Sequence, residues 1–460
     1  MDKSLEFKQY REKYKEFYYN KYIIRDDNEA IYLEYEFEIP GLIKFNPNLK
    51  ILKKEFKIKT LDSEYVKKMV FHIGLIELIS YWKCTCSPKV IIKCGYLNKD
   101  QIDWWKKLYF YGLGELFFTN NIETNIKDFM NIEFFNQESE IKYANIADKS
   151  DGYIVPIGGG KDSVVTLETL PINKQTDYCL IINPKEVTLK CAQIAGFSSD
   201  NIIEVYRTID KKIIDLNNKG FINGHTPFST MLAFVSYFIA YLLSKKYIAL
   251  SNENSANESN VIGKKINHQY SKSFEFECDF IDYTNKYLKA PVKYFSFLRP
   301  LNELQIAKIF SKHEKYHKVF KSCNVGSKQI PWKWCCNCAK CLFAYIILSP
   351  YLYKQKLIQI FGEDMFENKN LLPIFLELTG NARVKPFDCV GTFEEVNYAI
   401  SLTIDRIEKS NEKLPYLLEY YKNNYGLVDL KNDITKRYNN ENNLTEEQNA
   451  ILRKEVFFND

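Results

Sequence analysis

The sequence predicts an α/β protein built on a doubly wound parallel sheet, with an N-terminal α+β region before the sheet and a mainly helical region after it. From residue 150 to about residue 310, short apolar runs alternate with helical patterns, which is typical of a parallel sheet with helices on both faces. Near the N-terminus, "AIYLEYEFEIPGLIKF" alternates as half-buried strands do. From about residue 340 the apolar spacing is helical.

These patterns divide the chain into three predicted regions. Residues 1–149 contain the alternating strands, which turn at Pro40 and Gly41, and two helical stretches. The second stretch, "QIDWWKKLYFYGLGELFF", should end or bend near its two glycines. Residues 150–345 carry the alternating strands and helices, and residues 346–460 are mainly helical. We expect the first region to contribute to substrate binding.

Charge and composition exclude several classes of protein. The chain has 63 Lys and Arg against 58 Asp and Glu, and a net charge of +5 does not indicate a nucleic-acid partner. The longest apolar run, "MLAFVSYFIAYLLSKKYIAL", is interrupted by Lys245 and Lys246, so a buried helix leading into a buried strand explains it better than a membrane span. The N-terminus is charged and lacks a signal-peptide pattern. We therefore expect a cytoplasmic location, and no disulfides among the 12 cysteines.

The segment "DGYIVPIGGGKDSVVTLETL" predicts a phosphate site. Between a strand and a helix it places three consecutive glycines: Gly158, Gly159 and Gly160. Glycines let backbone N–H groups converge on an anion, and the helix start adds partial positive charge. The order Lys161-Asp162-Ser163 fits neither a Walker A loop nor the dinucleotide fingerprint. A tight turn capped by Asp162 or Ser163 is the structural alternative, but it would not need three glycines in a row.

Five of the 12 cysteines lie between residues 323 and 341. Thiolates separated by two residues can converge on one tetrahedral zinc ion. The predicted ligands are Cys323, Cys335, Cys338 and Cys341, and Cys336 is an additional cysteine. Free cysteines that pack in the core and an iron–sulfur cluster are the alternatives. We favour a structural zinc site.

A polar stretch follows the buried strand "YIALS", and it extends through "NENSANESNVIGKKINHQYSKSFEFE". A loop at the carboxyl end of a parallel strand faces the ligand crevice. Each of its polar side chains alone is more typical of a solvated surface, but their position as a group favours a site. A second segment, "RVKPFDCVGTFEE", has the turn signals of an ordered loop that could close over the site, with helix capping as the alternative.

The glycine loop closely resembles the pyrophosphate loop of the N-type ATP pyrophosphatases, usually written S-G-G-x-D-S, with Gly158 where serine is common. The resemblance implies a HUP-like domain in which the loop holds the β,γ-pyrophosphate of ATP. Attack on the α-phosphorus then gives an AMP-activated substrate and pyrophosphate. It also implies phosphate contacts from the glycines and Ser163, Mg²⁺ at Asp162 and a further positive charge from Lys161.

Five segments together resemble the ATP-dependent UDP-N-acetyl-α-D-muramoyl-L-alanyl-L-glutamate epimerases of peptidoglycan-precursor synthesis: "GGGKDS", "LSNENSANESN", "NHQYSKSFEFE", "CCNCAKCLF" and "KPFDCVGTFEE". The resemblance runs from about residue 65 to about residue 400. It implies that the terminal L-Glu of UDP-MurNAc-L-Ala-L-Glu is inverted to D-Glu at the expense of ATP. The partner would be this UDP-linked muramoyl dipeptide, a small molecule.

Inversion requires an acid/base pair that flanks the α-carbon. The candidates are groups that can exchange protons in or near the polar stretch: His268, His225, Glu253, Glu258 and Tyr270. Of these, His268 is the first choice. The candidates for binding the substrate are Asn252, Asn257, Arg383 and Lys385. The three other histidines receive structural predictions, His72 as a core residue and His313 and His317 as surface residues on a charged helix.

Two other functions stay open. The first is another AMP-forming enzyme with the same loop, such as a 7-cyano-7-deazaguanine synthase-like or tRNA-modifying enzyme, with Cys338 or Cys341 as a reactive thiol. The second is a non-catalytic nucleotide-binding protein. Retention of Asp162 argues against it, because binding of ATP alone does not require the metal-holding carboxylate.

Overall fold

The computed structural model describes residues 2–54, 61, 63–135, 150–261 and 263–458. The strands are β1 (Glu16–Asp26), β2 (Ala30–Ile39), β3 (Ile43–Phe45), β4 (Asn48–Leu52), β5 (Lys89–Ile92), β6 (Asn131–Phe134), β7 (Tyr153–Pro156), β8 (Tyr178–Ile182), β9 (Ile202–Thr208), β10 (Tyr247–Leu250) and β11 (Lys293–Ser296). The helices up to β10 are α1 (Ser4–Lys13), α2 (Glu64–Trp82), α3 (Lys99–Gly112), α4 (Gly114–Thr119), α5 (Lys161–Thr169), α6 (Glu186–Ile194), α7 (Lys212–Asn218) and α8 (Phe228–Leu242). The later helices are α9 (Phe274–Tyr283), α10 (Glu303–Lys312), α11 (Ala339–Leu348), α12 (Lys354–Phe361), α13 (Leu372–Leu378), α14 (Phe393–Lys409), α15 (Tyr416–Tyr425) and α16 (Glu446–Phe457).

All these strands form one sheet in the order β11-β10-β7-β8-β9-β4-β2-β1-β5-β6, and β3 pairs with β2. From β9 to β11 every neighbouring pair is parallel. Antiparallel pairing of β9 with β4 then joins the N-terminal strands to this parallel part. The predicted α/β fold and helical C-terminal region are confirmed. The sequence did not predict that strands of the first two regions share a sheet.

The central strands bury both faces. Along β7, Ile154 packs into the core that includes α2, α3 and α8, and Val155 packs into the opposite core with α5, α10 and α11. This alternation explains why β7 to β10 read as apolar runs. Helix α8 is the buried helix expected from the longest apolar run. None of the described helices combines the length and hydropathy needed to cross a membrane.

The structural predictions for the three histidines have different outcomes, and His313, expected at the surface, is half-buried at the end of α10. His72 lies in the core as predicted, and its Nε2 is 2.8 Å from the hydroxyl of Tyr283. The prediction that His317 is a surface residue is wrong. Its ring packs against Phe310, and only 2% of the residue is exposed, because the segment after α10 folds back onto the core.

The order of the parallel strands reverses between β7 and β10. The chain passes from β7 to β8 and β9 on one side, then crosses to β10 and β11 on the other side of β7. In open parallel sheets, ligands bind at the carboxyl ends of the strands at such a reversal. The glycine loop follows β7 and the polar stretch follows β10, so both lie at this place.

Candidate active site

A cleft of about 530 Å³ opens where the strand order reverses. Its lining includes the glycine loop, the loops after β8 and β10, the start of α8 and residues just before and within α11. The predicted residues that line it are Gly158, Gly160, Lys161, Asp162, Ser163, Asn252 and Glu253. The fold therefore brings the predicted phosphate loop and the beginning of the polar stretch to one cavity.

The glycine loop ends directly at helix α5. Gly160 is the N-cap of α5, without a side-chain cap among the described residues, so the alternative of a helix capped by Asp162 or Ser163 is wrong. The first N–H groups of α5 are then available to an anion. At Gly159, φ is +79° and an added Cβ would lie 3.2 Å from a side-chain carbon of Thr188. An added Cβ on Gly158 would meet nothing within 4 Å.

Lys161 is buried beneath the loop between two carboxylates. Its ammonium lies 2.5 Å from Asp162 Oδ1 and also bonds to Glu303. Burial lowers the pKa of a lysine, but the two carboxylates outweigh burial and hold the pKa of Lys161 above its usual value. Lys161 is therefore charged. The Asp162 side chain keeps a third of its surface exposed and lines the cleft, so it can offer an oxygen to Mg²⁺.

Further charged side chains line the cleft that the sequence analysis did not select. These are the carboxylate of Glu303 and the ammonium groups of Lys185, Lys272 and Lys340. Lysines beside carboxylates suit a triphosphate that carries a metal ion, because each sign of charge then finds its complement. Lys272 and Lys340 lie in segments quoted for the family resemblance, but only the fold brings the four side chains together in one cleft.

A buried arginine holds two walls of the cleft. The guanidinium of Arg299 donates hydrogen bonds to the carbonyl oxygen of Glu253 at 2.7 Å and to that of Lys272 at 2.5 Å. It also forms an ion pair with Glu277 at 3.1 Å, and both side chains are buried. Two residues that line the cleft are thus fixed through their backbones by one side chain.

One asparagine joins the polar stretch to the loop "RVKPFDCVGTFEE". Val261 and Val384 form an isolated β-bridge, and the N–H of Lys385 donates to the carbonyl oxygen of Asn260 at 3.0 Å. The side-chain amide of Asn260 donates to the carbonyl oxygen of Pro386, the next residue of that loop, at 2.8 Å. Its Oδ1 accepts the N–H of His268 at 2.8 Å. The loop is therefore ordered, as expected, and the backbone of His268 is fixed against it.

His268 belongs to a cluster with Glu115, His225 and Cys389. Its Nδ1 is 2.5 Å from Glu115 Oε2, and its ring lies 4.2 Å from the ring of His225. Burial lowers the pKa of His268, but hydrogen bonds to Cys389 and Glu115 outweigh burial and raise it to about 9. Burial, and next the charge of His268, lower the pKa of His225 to about 3. At neutral pH His268 is charged and His225 is neutral.

Cys389 is the member of this cluster that lines the cleft. Its Sγ lies 3.2 Å from Nζ of Lys272. Burial raises the pKa of the thiol, but the positive charges of Lys272, Lys340 and His268 lower it to about 6. Cys389 is therefore mainly a thiolate at neutral pH. The sequence predicts that the loop carrying Cys389 could close over the site, and it offers this cysteine among several residues there without indicating a role for it.

Eight of the residues predicted for catalysis or for binding ATP or the substrate are not among the described residues that line the cleft: Gly159, His225, His268, Glu258, Tyr270, Asn257, Arg383 and Lys385. Lys385 forms an ion pair with Glu258 in which the lysine side chain is buried. Asn257 Oδ1 accepts the N–H of Phe274 at 2.8 Å, at the start of α9. Arg383 is exposed, and Tyr270 is buried. Their assigned roles stay predictions.

The four predicted metal ligands lie together. The Sγ atoms of Cys323, Cys335, Cys338 and Cys341 are all within 4.8 Å of one another, and three of the pairs are 3.5–3.9 Å apart. Zinc–sulfur bonds of about 2.3 Å in a tetrahedron place sulfurs about 3.8 Å apart, so the cluster fits zinc. The N–H of Gly326 donates to Cys323 Sγ at 3.0 Å, as expected for a thiolate ligand. Cys336 instead bonds to a backbone carbonyl.

Two family models match the chain, the MurL N-terminal domain at residues 8–297 and the MurL C-terminal domain at residues 319–423. The chain belongs to the MurL family. The prediction of this family from five sequence segments is confirmed. In this MurL family member the cleft takes Glu253 and Lys272 from the first matched part, and Lys340 and Cys389 from the second.

Three curated relatives carry the name UDP-N-acetyl-alpha-D-muramoyl-L-alanyl-L-glutamate epimerase. The relative from Xanthomonas oryzae pv. oryzae is 28% identical over 360 residues, which cover 77% of this chain and 78% of the relative. The relative from Micromonospora sp. is 30% identical and covers 73% and 74%, respectively. The relative from Salinispora tropica is 30% identical and covers 72% of each chain.

Proposed function

We propose that this MurL family member inverts the terminal L-Glu of UDP-MurNAc-L-Ala-L-Glu to D-Glu and uses ATP to do so, with AMP and pyrophosphate as co-products. The names of the three relatives support the epimerisation and the substrate. One structural observation carries the use of ATP. Helix α5 begins at the glycine loop without a side-chain cap among the described residues, and its first turn lines the cleft. This arrangement also supports membership of the N-type ATP pyrophosphatase superfamily.

ATP would bind with its phosphates against the first turn of α5. The N–H groups at the start of that helix and the Ser163 hydroxyl would contact the phosphates, and Asp162 would hold Mg²⁺. The buried ammonium of Lys161 would keep the Asp162 carboxylate oriented, since the two groups lie 2.5 Å apart. Lys272 and Lys340 supply positive charge elsewhere in the same cleft, where charge develops on the reacting carboxyl group.

Activation by ATP solves a chemical problem of this epimerisation. The α-hydrogen of a glutamate residue is weakly acidic, because its removal would place a second negative charge beside the carboxylate. Conversion of that carboxylate to an acyl-adenylate removes its charge and makes the carbonyl an electron acceptor. One group then takes the α-proton, another returns a proton to the opposite face, and water releases AMP.

The four-cysteine cluster would hold a structural zinc ion in this enzyme. Its thiolates would join the segment around Cys323 to the start of α11, and both parts contribute residues to the cleft, such as Ser322 and Lys340. The ion would fix that wall without taking part in the chemistry. Because all four thiols would be zinc ligands, this role disfavours Cys338 or Cys341 as a reactive thiol.

The test is an assay of purified protein with ATP, Mg²⁺ and UDP-MurNAc-L-Ala-L-Glu that reads nucleotide products together with glutamate chirality. We expect AMP and D-Glu from the wild type and from the control Asp200→Asn, whose carboxylate is exposed and away from the cleft. Asp162→Asn should lose both products by on the order of 100-fold. Folded wild-type protein that forms neither AMP nor the inverted product from either glutamate isomer would contradict the proposal. AMP formed only with 7-carboxy-7-deazaguanine or tRNA would support the alternative enzyme class.

A further inference from the structure

Cys389 lines the cleft, whereas His268 and Glu115 are not among its described lining residues. Its Sγ accepts a hydrogen bond from Lys272 Nζ at 3.2 Å, and the charged imidazole of His268 lies close enough to lower the pKa of the thiol. Nδ1 of that imidazole is 2.5 Å from Glu115 Oε2. Lys272 lines the cleft as well. The arrangement is a thiolate–imidazolium–carboxylate chain that presents only its sulfur end, with Lys272, to a ligand.

We propose that Cys389 is one of the two residues that exchange the α-proton of the activated glutamate, and that His268 and Glu115 act through it as positioning residues. This inference rests on the proposed function, and it concerns a step after ATP has been consumed. It differs from the expectation drawn from the sequence, in which His268 itself faces the α-carbon.

A metal ion offers a different explanation for part of this cluster. Glu115, His225 and His268 carry ligand atoms close enough to share an ion. However, His268 Nδ1 and Glu115 Oε2 already form a hydrogen bond with each other, so both groups have a partner without an ion. We therefore interpret the pair as an imidazolium and a carboxylate that position Cys389.

The chemical step balances without an added reagent. The α C–H bond breaks as the Cys389 S–H bond forms, and the electron pair of the C–H bond moves into the adenylated carbonyl to give an enolate. A second acid on the opposite face gives its proton to the enolate, which restores the C–H bond with inverted configuration, and that acid then takes a proton from solvent. The Cys389 thiol returns its proton to solvent before the next turnover.

The surroundings of the sulfur suit this step. A base works best when its pKa lies near the working pH. Burial raises the pKa of Cys389, but Lys272, Lys340 and His268 lower it to about 6. These three cations come from two segments of the chain, Lys272 and His268 from the polar stretch and Lys340 from the start of α11. Asn260 Oδ1 accepts the backbone N–H of His268 and so fixes the backbone that carries the imidazole.

The deciding experiment follows AMP, glutamate chirality and α-deuterium in the same reaction, run in deuterium oxide with ATP and the UDP-linked dipeptide. Wild type and the control Cys278→Ser, which changes a half-buried cysteine outside the cleft, should give AMP and inverted glutamate that carries α-deuterium. Cys389→Ser should still release AMP within about 10-fold of the wild-type rate. Its inversion should fall by about 100- to 10,000-fold, which is the usual contribution of a general acid or base.

Two results would overturn the role of Cys389. The first is inversion by Cys389→Ser at a rate near that of the wild type. The second is a wild-type protein whose Cys389 peptide carries the muramoyl dipeptide as a thioester, because the sulfur would then be a nucleophile and not a base. Failure of the proposed function is distinguishable from both, since the wild type itself would then release no AMP and invert nothing.

The positioning role of His268 has a readout that does not depend on turnover. Alkylation of Cys389 by iodoacetamide, located by mass spectrometry of its peptide, reports its thiolate fraction. At pH about 7, His268→Gln should slow this alkylation several-fold, because loss of the imidazolium raises the pKa of the thiol and lowers the thiolate fraction. His313→Gln should leave the rate unchanged. His268→Gln should lower kcat with little change in KM, and unchanged alkylation in that variant would overturn the positioning role.

Discussion

Replacing Arg299 with methionine should destabilise the protein and loosen two walls of the cleft. The guanidinium is fully buried, pairs with Glu277 and donates to the carbonyl oxygens of Glu253 and Lys272. Methionine fills much of the same space but leaves the Glu277 charge and both carbonyls without these bonds. Breaking one side of a buried ion pair costs about 3–5 kcal/mol, and unpaired buried carbonyls add to that cost. We therefore expect a loss of at least about 3 kcal/mol in the free energy of unfolding.

Urea unfolding followed by tryptophan fluorescence measures this loss. The control is Arg25→Met, because Arg25 forms ion pairs with half its side chain exposed and should cost less than about 1 kcal/mol. The double variant Arg299→Met/Glu277→Leu should recover at least about 1 kcal/mol, since it removes the stranded carboxylate. An Arg299→Met variant that is no less stable than Arg25→Met would refute the reasoning.

Three further substitutions have outcomes that follow from local geometry. Gly159→Ala should weaken ATP binding in an equilibrium titration and lower the free energy of unfolding by about 1 kcal/mol. The reason is that φ is +79° at this position and the new methyl group would lie 3.2 Å from a neighbouring side chain. Gly158→Ala adds a methyl group that meets nothing within 4 Å, so this variant should fold normally. Cys338→Ser should lower the zinc content found by elemental analysis, and Cys336→Ser should not, because its thiol bonds to a carbonyl outside the cluster. Acid should destabilise the protein through His72, since burial lowers its pKa to about 3. The free energy of unfolding is unaffected by His72 above pH 6.5, which is about the pKa of histidine in the unfolded chain. Between pH 6.5 and pH 3 it should fall by about 1.4 kcal/mol per pH unit, because the unfolded chain binds a proton that the buried imidazole does not. His72→Gln should remove this pH dependence.

Each of these expectations has a result that contradicts it. An ATP affinity of Gly159→Ala equal to that of the wild type would contradict the assignment of the loop to the phosphate site. If Cys338→Ser contained as much zinc as the wild type, the four cysteines would not be the zinc site. Unfolding free energies that change with pH in the same way for wild type and His72→Gln would show that the buried imidazole takes up no proton on unfolding.

The elements that sequence could predict are those with local signals. The alternation in β2 and β3 and the turn at Pro40 and Gly41 need only neighbouring residues, and both strands form as expected. The break between α3 and α4 falls between Gly112 and Gly114, where glycine disfavours a continuous helix. The strand, glycine loop and α5 also follow from one short segment. The four cysteines could be selected because metal ligands have a characteristic spacing.

What sequence could not predict depends on contacts between distant segments. Glu115 lies on the short helix α4, far along the chain from His268 and Cys389, and nothing near it marks a functional residue. The pattern around His268 favoured a histidine that faces the substrate, whereas the structure puts a cysteine on the cleft wall and the histidine against it. Glu303 illustrates the same limit, because its role at Lys161 depends on how α10 packs against α5.

The most direct test of the central claim follows a heavy-oxygen label. The α-carboxyl group of the terminal glutamate is labelled, the dipeptide is incubated with ATP and Mg²⁺, and the AMP is analysed by mass spectrometry. If the carboxylate attacks the α-phosphorus and water then attacks the acyl carbon, one labelled oxygen must appear in the phosphate of each AMP formed. Inversion of glutamate accompanied by unlabelled AMP, or by ADP, would contradict activation through an acyl-adenylate.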